Sequence, residues 1–201
     1  MMTVTDIRPA RKKLCSVYID GEYAMKLDAA VLEENCIKPG VRLDDERLHK
    51  LVKESEYRRS KERALWLLSG RDYSRSGLYD KLRREASDET TEEVIERMEE
   101  LGLVDDESYA RRLAHDLLYI KKLSKRGALY KLMEKGIDKG LAEEILDEFE
   151  LDPVEQLVEL IERKYKNKLE DEKDRRRTVA ALQRLGYSWG DIRAALEEFE
   201  E

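Results

Sequence analysis

The chain has 201 residues, 41% hydrophobic and 42% charged, with a formal net charge of −7. The charges interleave with apolar residues at helical spacing, which argues against disorder, and three Pro amid abundant Glu, Lys, Arg, Leu and Ala favour helices. Two cysteines exclude a disulfide framework, and neither a signal-type nor an 18-residue apolar run occurs, so a cytoplasmic protein is expected.

Thr3 to Ile7 alternates weakly, and Leu14 to Ile19 and Glu22 to Leu27 read as strands around Asp20-Gly21, a pair that favours a type I′ turn. Val17 and Ile19 share one strand face, with Tyr18 on the other. A lone hairpin is marginal, so it gains Thr3 to Ile7 as a third strand or packs on a helix. Asp28 is the expected cap of a short helix from Ala29 to Asn35, and Lys38-Pro39-Gly40 a turn. Asp44 starts a long helix through Leu48, Leu51 and Val52. That helix either continues through Ser55 to Leu68 or restarts at Ser60, with Tyr57 to Lys61 as the junction.

The remainder repeats. Ser74-Arg75-Ser76-Gly77-Leu78-Tyr79-Asp80-Lys81-Leu82 is followed fifty residues later by Ser124-Lys125-Arg126-Gly127-Ala128-Leu129-Tyr130-Lys131-Leu132. Fifty further on comes Asp174-Arg175-Arg176-Arg177-Thr178-Val179-Ala180-Ala181-Leu182. Each copy opens on an N-cap residue and reaches an apolar stripe. Gly136-Ile137 and Gly186-Tyr187 follow the later two at matching places, as helix C′ glycines do. A fixed period of this size marks tandem supersecondary units. In the first unit Gly70 ends the first helix, Ser74 to Arg84 is the second, and Asp88 or Thr90-Thr91 caps a third that Gly102 ends. Asp105-Asp106 opens the second unit, Asp152-Pro153 the third, with Pro at N1, and Ser188 caps the last helix. The reading is mainly α: three-helix repeats at 57–103, 104–151 and 152–201 forming a curved elongated array, after an N-terminal hairpin and helix at 1–56.

Charge is segregated. Lys121 to Lys131 holds five cations and no acid, whereas Asp88 to Glu107 holds ten acids and one cation, Arg97. Basic second helices invite a phosphate-binding reading; the competing one is solvated faces paired with acidic third helices. Cations at helix starts oppose the macrodipole and so need another reason. The candidate contacts to a partner or to DNA are Arg75, Lys121, Lys122, Lys125, Arg126, Lys131, Arg175, Arg176 and Arg177. Tyr79, Tyr109, Tyr119, Tyr130, Tyr165, Tyr187 and Trp189 either stack on bases or pack between helices. Asp105-Asp106-Glu107 reads as a helix start rather than a metal site. His49 and His115 sit in no catalytic motif, and no phosphate loop or nucleophile elbow occurs, so neither catalysis, metal nor cofactor is expected.

Residues Val17 to Ala24 with Leu27, Ala64-Leu65-Trp66-Leu67-Leu68 with Arg71, Ser74, Ser76, Leu78 and Lys81-Leu82, Leu101 to Asp106 with Tyr109-Ala110, and Gly136-Ile137 resemble, in order and spacing, the RecX family of RecA regulators. Gly77 stands where the family often has Glu, and Leu103-Val104 replaces a Tyr-containing pair. The resemblance implies a non-enzymatic protein that binds RecA and its filament on single-stranded DNA and most often inhibits recombinase, ATPase and co-protease activity; a monomer is expected because an array with an acidic C-terminal cap needs no partner to fold. The alternative is a helical-repeat protein that binds DNA directly, without a recombinase partner.

Overall fold

The computed structural model describes residues 1–199. The chain forms two compact units. Unit 1 holds Met1–Tyr73 and Gly77–Val104; unit 2 holds Ser74–Ser76 and the chain from Asp105 onward.

Unit 1 begins with strands β1 (Met2–Pro9), β2 (Leu14–Ile19) and β3 (Glu22–Asp28), helix α1 (Ala29–Glu34) and strand β4 (Arg42–Leu43). The sheet order is β3-β2-β1-β4, with every pairing antiparallel. The hairpin is the expected one: Asp20 and Gly21 have φ of 50° and 94°, the double left-handed conformation of a type I′ turn. β1 is the third strand and also secures the turn. Thr3 N–H donates to Asp20 Oδ1 at 2.9 Å, and Gly21 N–H to Thr5 Oγ1 at 3.0 Å. Strand β4, two residues long, was not anticipated, since Arg42-Leu43 has no alternation to reveal it. Val4, Val17, Leu27, Val31, Leu32, Leu43 and Leu51 form the core under the sheet, while Tyr18 lies outside, edge-on to Tyr23.

Helix α2 (Asp45–Gly70) settles the open question at Ser60. Asp44 caps it through the Arg47 N–H at 2.8 Å, and it then runs unbroken for 26 residues. Ser60 lies in its interior, buried and with no hydrogen-bond partner for Oγ among the described residues, so it caps nothing. The front half of α2 covers the sheet, where Ser55 Oγ accepts from Asp28 N–H at 2.8 Å. Its rear half, through Ala64 and Leu67, packs with α3 (Arg75–Leu82) and α4 (Asp88–Glu100) around Leu78, Leu82, Val94, Ile95 and Met98. The cap of α4 is Ser87, which accepts from Thr90 N–H at 3.3 Å, not Asp88 or the buried Thr90-Thr91. A carboxylate of Glu56 on α2 takes up the Ser87 N–H.

Unit 2 contains six helices among the described residues, besides one turn of π-helix and one of 3₁₀-helix. They are α5 (Asp106–His115), α6 (Lys125–Glu134), α7 (Lys139–Asp147), α8 (Pro153–Lys164), α9 (Glu172–Arg184) and α10 (Trp189–Glu197). Caps fall as read at Asp105, Ser124, Asp152 and Ser188, the last with a reciprocal Asp191. One does not: α9 starts a turn early, capped by Asp171, with Asp174 at N3. Fifty-residue spacing still holds inside the helices, where Ala128 and Thr178, and Leu132 and Leu182, are buried equivalents. One core lies around Leu117, Leu118, Leu132 and Ile145 and another around Leu157, Ile161, Leu182 and Ile192; Leu185 packs against both. No helix among the described residues is long and apolar enough to cross a membrane.

Candidate functional site

The basic segment follows from an irregularity. Helix α5 widens into a π-turn over Asp116–Ile120 and ends at Lys122, whose φ of 54° is in the left-handed region. Such a conformation costs about 1 kcal/mol or more in a residue other than glycine and persists only where its surroundings over-determine it. Here they do. The buried Tyr187 hydroxyl lies 3.1 Å from the Lys122 carbonyl and donates to Gln156 Oε1 at 2.7 Å, while Gln156 Nε2 donates to the Leu118 carbonyl at 2.6 Å. Lys122 Nζ meets Glu159 Oε2 at 2.7 Å with only 12% of its side chain exposed. The Lys122 ammonium, through its hydrogen bond first and its charge second, holds the Glu159 carboxyl below the ordinary range.

The reversed chain then presents Ser124, the cap of α6, to the end of α9. Ser124 N–H donates to the Leu185 carbonyl at 3.0 Å, and Arg126 Nε donates to the Gly186 carbonyl at 3.1 Å. The backbones touch here: a Cβ on Gly127 would overlap the Leu185 carbonyl, and one on Gly186 would lie 2.6 Å from Gly127 N. Gly186 also has φ of 96°. A matching joint forms within unit 2 at the previous repeat. Ser74 Oγ donates to the Lys135 carbonyl, and a Cβ on Gly136 would collide with Ser76 Cβ. Both joints span 61 residues. This supplies the missing reason for a cation at the start of α6: Arg126 faces the electronegative carbonyl end of α9.

The structure therefore divides the predicted contacts. Arg75 gives its backbone N–H, not its guanidinium, to Asp106 Oδ1 at 2.6 Å, and burial raises the Asp106 pKa. Lys122 and Arg126 brace the joint. Lys121 and Lys131 are exposed and Lys125 half-exposed, with Lys131 paired to Glu134 at 2.7 Å. Arg175, Arg176 and Arg177 do not open their helix as expected. They stand at N4 to N6, because Glu172 and Asp174 occupy the favourable acidic first turn. Arg176 pairs with Glu172 at 3.0 Å and Arg177 with Asp174 at 2.8 Å. The Arg126 contact lies at the far end of α9, about 15 Å along its axis from Arg176, so the two basic groups are separate. The acid triplet is engaged. Asp105 caps α5, its pKa lowered chiefly by the backbone N–H of Ser108, while Glu107 pairs with Arg111.

Among the aromatics, Tyr187 is core, Tyr119 packs between His115 and Phe149, and Tyr79 donates to Asp88 Oδ1 at 2.9 Å. Tyr130 and Trp189 are exposed. Arg193 was missed as a candidate. Its signal is its place four residues after Trp189 on one helix, which puts both on one face; they line a common groove with Arg175 and Arg176.

Three family models cover the repeats: RecX, first three-helix domain, at residues 61–98; second, at 105–146; and third, at 150–196. A Regulatory protein RecX of Clostridium acetobutylicum is 30% identical over 98% of this chain and 95% of its own. One of Clostridium tetani is 28% identical over 98% and 93%. A crystal structure of regulatory protein RecX aligns over 98% of this chain and 100% of its own at TM-score 0.64 and 20% identity, a likeness of fold. Motif order, repeat architecture and full-length similarity agree, and the chain belongs to the RecX family of regulatory proteins.

Proposed function

We propose that this protein is a cytoplasmic, monomeric, non-enzymatic regulator that binds RecA and its filament on single-stranded DNA and restrains recombinase, ATPase and co-protease activity. One observation carries the reading: a chain of RecX lineage holds five cations and no carboxylate between Lys121 and Lys131, in a segment locked to the end of α9. A partner that repeats along a charged filament suits a surface built from repeated helices, because modest contacts gain by multiplicity. Lys121, Lys125 and Lys131 contact the filament. Arg175, Arg176 and Arg177 face its DNA, and Arg75, Lys122 and Arg126 hold that surface in place. The domains of action are the repeats at 57–103, 104–151 and 152–201, carried by the N-terminal segment at 1–56.

The test is the ATPase rate of RecA on single-stranded DNA, titrated with this protein, beside a gel shift on the same DNA without RecA. A fall in ATPase at low ratios to RecA, with little shift of bare DNA, is expected. Inhibition only at ratios that coat the DNA would replace the reading with direct DNA binding. The double variant Lys125→Glu, Lys131→Glu should weaken filament binding about tenfold at low salt, since phosphate and acidic-surface contacts are ionic; unchanged binding would remove these lysines from the interface.

A further inference from the structure

Trp189 is the first residue of α10, just after the Ser188 cap, and 58% of it is exposed. Trp66, the other tryptophan, is also exposed, but the Arg63 guanidinium covers its ring at 4.5 Å. Among the described residues no cation or aromatic ring lies over the Trp189 indole. The indole instead borders a groove of about 590 Å³ between α9 and α10. Val179 and Leu196 give the groove apolar lining, and Arg175, Arg176 and Arg193 supply guanidinium groups. Its acids, Glu172 and Glu197, are paired at the exposed surface with Arg176 at 3.0 Å and Arg193 at 3.2 Å, an arrangement of i,i+4 pairs that a better anion displaces readily.

A bare indole face, an apolar lining and guanidinium groups together fit a flat aromatic ring attached to phosphate. The volume lies within the range of about 300–1,000 Å³ typical of small-ligand clefts. We infer that the α9–α10 groove binds one unpaired nucleotide of a single-stranded nucleic acid, its base stacked on Trp189 and its phosphates held by Arg175, Arg176 and Arg193. A duplex keeps its bases stacked on one another and offers no free face to the indole. The inference rests on the proposed regulator reading only in placing Arg175 and Arg176 against DNA; it needs no recombinase, so it is tested without one.

In a Trp66→Phe variant Trp189 is the sole indole. Titration with a short oligo-dT at low salt should quench its fluorescence saturably, and added salt should reverse the quenching. Arg193→Gln should weaken binding about tenfold with an unchanged thermal melt. In a full-sequence background Trp189→Ala should weaken binding of a labelled oligonucleotide by about tenfold or more, and Trp189→Phe should restore most of it. The inference is overturned by an absence of quenching, by equal quenching with duplex DNA or inorganic pyrophosphate, or by full affinity in Trp189→Ala. Should it fail while RecA ATPase still falls on titration, the regulator reading stands without the groove; should quenching occur without any ATPase effect, the groove stands without the regulator.

Discussion

Tyr187 shows how much one side chain can fix. Its ring fills the core of the third repeat, while its hydroxyl ties Gln156 on α8 to the turn at Lys122. Tyr187→Phe keeps the volume and strands Gln156 Oε1, so it should cost about 1–3 kcal/mol in urea denaturation. Burial first, and then the charges of Asp191 and Glu159, raise this phenol well above the ordinary tyrosine range. The sign follows: the folded state keeps a proton that the unfolded chain releases, so this contribution is complete below about pH 10 and falls as pH rises beyond it. The stability difference between the native sequence and Tyr187→Phe should therefore shrink above pH 10. Gly186-Tyr187 was visible in the sequence as a repeat landmark, but the role of the hydroxyl was not, because its partners lie 31 and 65 residues away.

Helices and their ends were largely written in local chemistry, and the departures have local causes. Capping residues marked α1, α2, α5, α6, α8 and α10 correctly. The start of α9 was misplaced because two acids, Asp171 and Asp174, stand one turn apart and both suit an N-cap; the repeat alignment favoured the wrong one. The π-turn was invisible, since no residue propensity marks one; its Leu117 and Leu118 are buried in the core. The joint between α6 and α9 was half visible: Gly186 stood out as a repeat landmark, but its contact with Gly127 is a matter of tertiary approach. It makes a sharp prediction. Gly127→Ala places a methyl group against the Leu185 carbonyl and should destabilise by about 1–3 kcal/mol despite its better helix propensity. Gly190→Ala, whose added carbon meets nothing nearer than Ser188 Oγ at 3.7 Å, should gain up to about 1 kcal/mol. Thermal melts of the two variants check both signs.

For the chain entire, composition and period pointed to helical repeats, and the N-terminal segment proved a four-stranded sheet built on the expected hairpin. Charge segregation picked out the cations, yet it could not separate those that brace the joint from the rest, because that division depends on where the Gly186 carbonyl and the Glu159 carboxylate arrive from other helices. The two tryptophans fall one in each compact unit, Trp66 in the first and Trp189 in the second. Single-tryptophan variants made with Phe thus report on the units separately. Gly127→Ala should lower the denaturant midpoint seen by Trp189 and leave that seen by Trp66 in place; a common shift would mean that the chain unfolds as one cooperative block.

The joint at Ser124 is written mainly in backbone: an N–H, two carbonyls and two glycines without side chains. A connection of this kind asks little of the surrounding sequence, so substitutions elsewhere in a repeat can accumulate without loosening it. Here lies a physical reason why three copies in one chain can drift until little beyond spacing identifies them, and why the fold persists in a protein only 20% identical. The same economy favours growth by duplication, since a new repeat that begins with a capped glycine turn and ends with a left-handed glycine already carries both halves of the attachment.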